Sequence, residues 1–139
     1  MENKTKKTIY ESTLAKVVAT KEDWGIEVIF YGNCELADPV GIKQIIDWFD
    51  TVKKEFIYID LRNTLSVDDG TIGLILVLKQ IGFGHGGDFA IICSNHPANK
   101  IAISFKNIAL NSPIKVLHSH HTFIINAKGQ VAQAAKKIG

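Results

Sequence analysis

What most constrains the fold of this chain is an alternation. Short apolar runs of strand length take turns with segments of helical period, and the alternation begins only after two apolar runs in succession. The two opening runs are Leu14–Thr20 and Ile26–Tyr31. In the second, Ile26, Val28 and Phe30 share one face and Glu27, Ile29 and Tyr31 the other. With the polar turn Lys21-Glu22-Asp23 between them, they are expected to pair as an antiparallel hairpin. Gly32–Pro39 reads as a loop. Asp38 then caps a helix, Pro39 occupies the first-turn position that suits it, and Ile42, Ile45, Ile46, Phe49 and Val52 make an apolar stripe. Lys53-Lys54 complement the dipole at its end.

Phe56–Leu61 is a short buried strand, Arg62–Asp68 a loop, and Asp69 to about Ile81 a helix that is apolar almost all round. Gly82–Gly87 ends that helix as a glycine-rich turn, and Phe89–Cys93 is the next strand. Ser94 or Asn95 can cap a further helix with Pro97 in its first turn and Ile101, Ala102, Phe105 and Ile108 along its stripe. Ile114–Leu117 is the last strand. A helix from about Asn126 to Ile138, using Val131, Ala134, Ala135 and Ile138, closes the chain. The resulting order, β-β-α-β-α-β-α-β-α, implies an α/β fold. It would be a mixed β-sheet of about five strands and about four helices, most of them on one side. Met1–Thr8 is basic and unpatterned and reads as a flexible N-terminal arm, leaving residues 9–139 as a single domain.

Composition narrows the function classes. At 139 residues with 46% hydrophobic and 22% charged residues, the chain suits one soluble domain rather than a disordered segment. Its net charge is only +2, and Arg62 is its single arginine. Both facts count against nucleic-acid recognition, which concentrates basic charge and favours arginine. No run reaches the roughly 18 apolar residues of a membrane span, and no signal-peptide core follows the basic start. Cys34 and Cys93 lie far apart and in no ligand-like spacing, as free thiols of a reducing, cytoplasmic setting do.

The most informative stretch is Ser66-Val67-Asp68-Asp69-Gly70-Thr71-Ile72-Gly73, between a strand end and a helix start. Sites gather at the carboxyl ends of strands in open α/β sheets. On residue types alone, the Asp pair either caps the helix, with Asp69 as the cap, or presents charge to a partner. Here the chain resembles the STAS domains of sulphate transporters and anti-sigma-factor antagonists. Their signature is a strand ending in Asp-Leu-Ser, then a loop, then Asp-Ser-Ser/Thr-Gly-Leu-Gly opening an apolar helix. This chain reads Ile59-Asp60-Leu61-Arg62, then Val67-Asp68-Asp69-Gly70-Thr71-Ile72-Gly73-Leu74. Gly32-Asn33-Cys34-Glu35 stands where the family often has Gly-Glu-Leu-Asp, and Gly86-Gly87-Asp88-Phe89-Ala90-Ile91 resembles the following turn and strand. The likeness spans about residues 14–136.

The resemblance implies a STAS-like fold and non-catalytic protein–protein regulation. The nearest role is that of an anti-sigma-factor antagonist, binding an ATP-dependent anti-sigma-type serine kinase in a partner-switching pathway. In that branch the Ser after the first Asp is phosphorylated by the kinase, and phosphorylation breaks the complex. Here Asp69 holds that position, Gly70 the next and Thr71 the usual Gly. Asp has no hydroxyl and one charge, against about −1.5 to −2 for phosphoserine. Either Asp69 is a fixed mimic of the phosphorylated state, or binding proceeds without this switch and Ser66 or Thr71 is a displaced acceptor. The expected partner loop is therefore Ser66, Asp68, Asp69, Gly70 and Thr71, with Glu35, Asp38, Asp60, Ile72 and Ile75 as neighbouring surface. The alternative function is a STAS-like module that binds a small molecule or lipid, or a scaffold in a sensory complex.

Other constellations are less complete. Asp60, Asp68 and Asp69 could converge as the carboxylates of a phospho-receiver, but the antiparallel opening hairpin does not suit that doubly wound fold. His118-Ser119-His120-His121 lacks a nearby Cys or carboxylate partner for zinc and reads as solvated histidines. Gly82-Phe83-Gly84-His85-Gly86-Gly87 follows a helix, the reverse of a dinucleotide loop's context. Trp24, Trp48 and Phe83 are candidates for an exposed ligand patch. No cofactor, metal, membrane or nucleic-acid partner is expected, and the chain is expected to be a monomer or weak dimer.

Overall fold

The computed structural model describes residues 5–34, 39–52, 56–84, 87–93, 115–117 and 119–138. The elements are β1 (Thr5–Glu11), β2 (Ala15–Glu22), β3 (Gly25–Cys34), α1 (Pro39–Val52), β4 (Phe56–Val67), α2 (Asp69–Gly84), β5 (Asp88–Ile92), β6 (Lys115–Leu117) and α3 (His121–Ile138). Among the described residues the strands form one sheet in sequential order, β1 to β6. β1, β2 and β3 pair antiparallel, and β3 to β6 run parallel. The sheet is mixed, as expected, and has six strands rather than about five.

The additional strand is β1. Thr5–Thr8, expected in a flexible arm, pair with Thr20, Lys21 and their neighbours on β2. Only Ile9 is buried and Tyr10 half-buried along it, so no apolar alternation marks it. Its Thr, Ile and Tyr content suits an extended backbone, and its lysines suit an outermost strand, where they discourage further pairing. The β2–β3 hairpin forms as expected, with Glu22 opposite Gly25 and a two-residue turn of Asp23 and Trp24. Gly25 cannot carry a side chain: a Cβ there would lie 2.1 Å from the carbonyl oxygen of Phe56.

The two faces of the sheet bury different layers. On one, Val17, Val28, Phe30, Ile57, Ile59 and Ile91 meet Ile45 and Phe49 of α1 and Ile72, Ile75 and Leu78 of α2. On the other, Trp24, Tyr58, Ala90 and Ile92 meet Phe123 and Ala127 of α3. Two of the three helices among the described residues thus cover one side, as expected of most of them. The alternation along β4 explains the division, because successive side chains point to opposite faces. In α1, buried Gly41, Ile45 and Phe49 recur every four residues.

Several boundaries differ from expectation. β4 continues through Arg62–Val67 instead of ending at Leu61. Thr64 Oγ1 donates to the Phe30 carbonyl and Ser66 Oγ to Asn33 Oδ1, so the polar residues that read as a loop cross-link the strands. α2 extends to Gly84, beyond Ile81. α3 begins at His121 rather than 126 and is held by Phe123, Ile124 and Ala127, whereas Val131 and Ala134 are exposed. The helix expected after Ser94 or Asn95 lies outside the described residues, as do Glu35, Asp38, Lys53-Lys54, His85 and His118.

Candidate functional site

At the junction of β4 and α2 the chain turns from strand to helix without an intervening loop. Asp68 is the only residue between them. Its backbone N–H donates to the Cys34 carbonyl at 3.2 Å, and its own carbonyl accepts the first helical bond from the Ile72 N–H at 3.0 Å. Its Oδ1 accepts from the Thr71 N–H at 2.8 Å. Asp68, not Asp69, is therefore the N-cap, which needs a side-chain acceptor for the third helical N–H. Thr71 is fully buried, and its Oγ1 lies 2.6 Å from both Asp68 Oδ1 and the Cys34 carbonyl. Its single proton goes to one of them at a time. The end of β3, the end of β4 and the start of α2 are thereby tied at one point.

This tie releases Asp69. As the first residue of α2 it is exposed, and Gly70 beside it is exposed too. Asp69, Gly73 and Val77 follow each other at four-residue intervals on one outer face of α2. Gly73 has open space where a side chain would stand, and Val77 is 41% exposed. The negative charge of Asp69 meets the positive end of the helix dipole, which favours an anion there.

Just before the junction, β4 carries two extra residues. Ile29 pairs with Asp60 but Tyr31 with Asn63, and Gly32 pairs with Thr64 but Asn33 with Ser66. The second bulge falls on Leu65, which leaves the ladder and is 80% exposed. A leucine so exposed three residues before the cap was not among the expected site residues. Within a segment taken for a loop, nothing in the sequence singles it out.

The expected neighbouring surface divides differently. Ile72 and Ile75 are buried in the core beneath α2 and face away from solvent. Asp60 is buried on the α3 side of the sheet, where Arg62 holds it through Nε at 3.0 Å and Nη2 at 2.7 Å while the Arg62 N–H donates to the same carboxylate. The Asp60 carboxylate in turn raises the Arg62 guanidinium further above its ordinary value. Asp60 and Asp68 therefore serve separate structures, and the three carboxylates do not converge. Thr71 is too deeply buried for a kinase to reach, whereas Ser66 is half-buried.

On the α3 side, Tyr58 is the centre of an aromatic stack. Trp24 lies parallel to it at 5.6 Å and His120 at 5.8 Å, with Phe123 edge-on. The Tyr58 hydroxyl donates to Glu27. Burial first, then the Glu27 hydrogen bond, push the phenol above its ordinary value and keep it protonated. His120 Nδ1 lies 3.3 Å from Arg62 Nη2, a donor, so that nitrogen is an acceptor. Among the described residues no three His, Cys, Asp or Glu side chains gather to hold a metal. Trp24 is buried here, on the opposite face from Trp48, so the two tryptophans form no common patch. The side chain of Phe83 lies outside the described residues.

No family model matches the sequence, and no curated protein is similar to it in sequence. The likeness to known proteins is structural. An anti-sigma factor antagonist from Mycobacterium paratuberculosis superposes with a TM-score of 0.63 at 12% identity, over 82% of this chain and 94% of that one. The protein TM1081, solved by NMR, superposes with a TM-score of 0.56 at 21% identity, over 73% of this chain and 82% of that one. The chain therefore has the STAS-like fold of anti-sigma factor antagonists, with its mixed sheet and covering helices. Among the described residues, no helix is long and apolar enough to cross a membrane.

Proposed function

We propose that this chain is a non-catalytic regulatory domain that binds an anti-sigma-type serine kinase through the outer surface at the start of α2. One observation carries the proposal. Asp69 stands where the resemblance places the phosphorylated serine, and it is exposed while Asp68 does the capping. Its carboxylate faces solvent at the positive end of the helix and is available to a partner. Gly70, Gly73, Val77 and the bulged Leu65 supply a surface around it that a partner can approach closely. Asp69 acts as a fixed, weak substitute for phosphoserine, with less charge than the modified residue. Of the two displaced acceptors considered, Ser66 is the one left for modification, since Thr71 is buried.

The test is an affinity pull-down from the native cytoplasm with wild type, Asp69→Ser and Asp69→Arg, the captured proteins being identified by mass spectrometry. Capture of an anti-sigma-type kinase by Asp69→Ser but weakly by wild type supports the fixed-mimic reading. Equal capture by wild type and Asp69→Ser supports binding without the switch. Capture that survives Asp69→Arg unchanged moves the partner surface away from α2, and absence of any such kinase removes the antagonist role.

A further inference from the structure

The groove between β1 and α1 has no part in the surface just described. At one end the two elements touch: a Cβ on Gly41 would lie 2.3 Å from the ring of Tyr10. Further along they separate into a groove of about 510 Å³ lined by Lys7, Thr8, Ile9, Gln44, Asp47, Trp48 and Thr51. That volume falls in the range of small-molecule sites, about 300–1,000 Å³. The strand that makes its outer wall is the one absent from the expected five.

The lining has a definite chemistry. Ile9 is buried and Trp48 half-buried, its indole edge-on to Phe49 at 5.1 Å, so the groove has an apolar and aromatic wall. The Asp47 carboxylate lies 3.4 Å from Lys43 Nζ, which offsets its charge. Thr51 Oγ1 donates to the Asp47 carbonyl at 2.7 Å, so its proton is spent. The donors that remain along the groove are then the Lys7 ammonium and the Gln44 amide. Aromatic surface with a cation and a neutral donor complements a planar aromatic ring bearing a carboxylate. We propose that the β1–α1 groove binds a small aromatic carboxylate, with the ring against Trp48 and the carboxylate toward Lys7. This site is independent of the kinase-binding reading, and failure of the pull-down leaves it standing.

The test is a two-dimensional NMR titration of the full chain with 2-naphthoate, with 2-naphthylmethanol and 2-naphthylmethylamine as neutral and cationic isosteres. A ligand of this size in an open groove is expected to bind with a Kd on the order of 1 mM. Saturable shifts should appear at Lys7, Thr8, Ile9, Gln44, Thr51 and the Trp48 indole N–H. Affinity should fall from acid to alcohol to amine. Lys7→Gln should weaken the acid by roughly fivefold and leave the alcohol unchanged, as loss of one exposed charge contact does. Trp48→Ala should abolish binding. Thr51→Phe, at an exposed position, should do the same by filling the groove while leaving the Trp48 packing in place. Shifts that fail to saturate by about 10 mM, a concentration well above that Kd, overturn the proposal. So does equal affinity for acid and amine, or binding unchanged by Thr51→Phe.

Discussion

Replacing Asp68 by Ala separates the two aspartates of the junction. The variant removes the acceptor of the Thr71 N–H and one of the two acceptors of the Thr71 hydroxyl. The hydroxyl retains the Cys34 carbonyl, so it is not orphaned. The N–H belongs to a fully buried residue, so loss of its side-chain acceptor is costly. Loss of an Asp cap costs about 1 kcal/mol, and a buried N–H left unpaired costs about 1–3 kcal/mol, part of it the same effect. A destabilisation of about 2 kcal/mol is therefore expected. For a chain of 139 residues that corresponds to a fall in Tm of about 7 °C. Asp68→Asn, which keeps the acceptor, should recover most of the loss. Asp69→Ala, at an exposed position outside the cap, should stay within about 0.5 kcal/mol of wild type. Urea denaturation followed by circular dichroism measures all three. If Asp69→Ala costs as much as Asp68→Ala, the cap is wrongly assigned and Asp69 is not free for a partner.

Three further outcomes follow from the packing. Gly25→Ala should cost at least about 2 kcal/mol by urea denaturation, because its methyl group meets the backbone of Phe56 rather than a side chain that can turn aside. Arg62→Ala should cost about 1–3 kcal/mol, since it strands the buried Asp60 carboxylate; Asp60→Asn should partly rescue it in the double variant. Burial pushes both the Cys34 and Cys93 thiols up from 9.0 to about 11. Between those values the unfolded thiols ionise first, so the unfolded state binds fewer protons and stability falls as pH rises from 9 to 11. Urea midpoints across that range should decline, less so in Cys34→Ala/Cys93→Ala, and a midpoint that rises contradicts the burial of the thiols.

Where side chains repeat with a period, the sequence announces the structure. The Ile26–Tyr31 alternation and the α1 stripe of Ile45 and Phe49 predict elements that form, and the strand–helix order predicts the mixed sheet. β1 and the end of β4 are different. Their polar residues gain order from partners far along the chain, such as Phe30 for Thr64, which no local window contains. α2 is apolar on nearly every side, so periodicity could not say that Ile72 and Ile75 face inward. The spacing of Asp69 and Gly73, the positions without apolar bulk, was the available signal for its outer face. Two adjacent aspartates likewise leave the cap open by composition. Only the bond from Thr71 decides it, through the three-residue spacing from Asp68.

Amide hydrogen exchange on the complex with the captured kinase tests the central claim most directly. The account predicts slowed exchange confined to Leu65 and the outer face of α2 from Asp69 to Val77, with β1 and α3 unchanged. Protection on β1 or α3 and none at the start of α2 would contradict it.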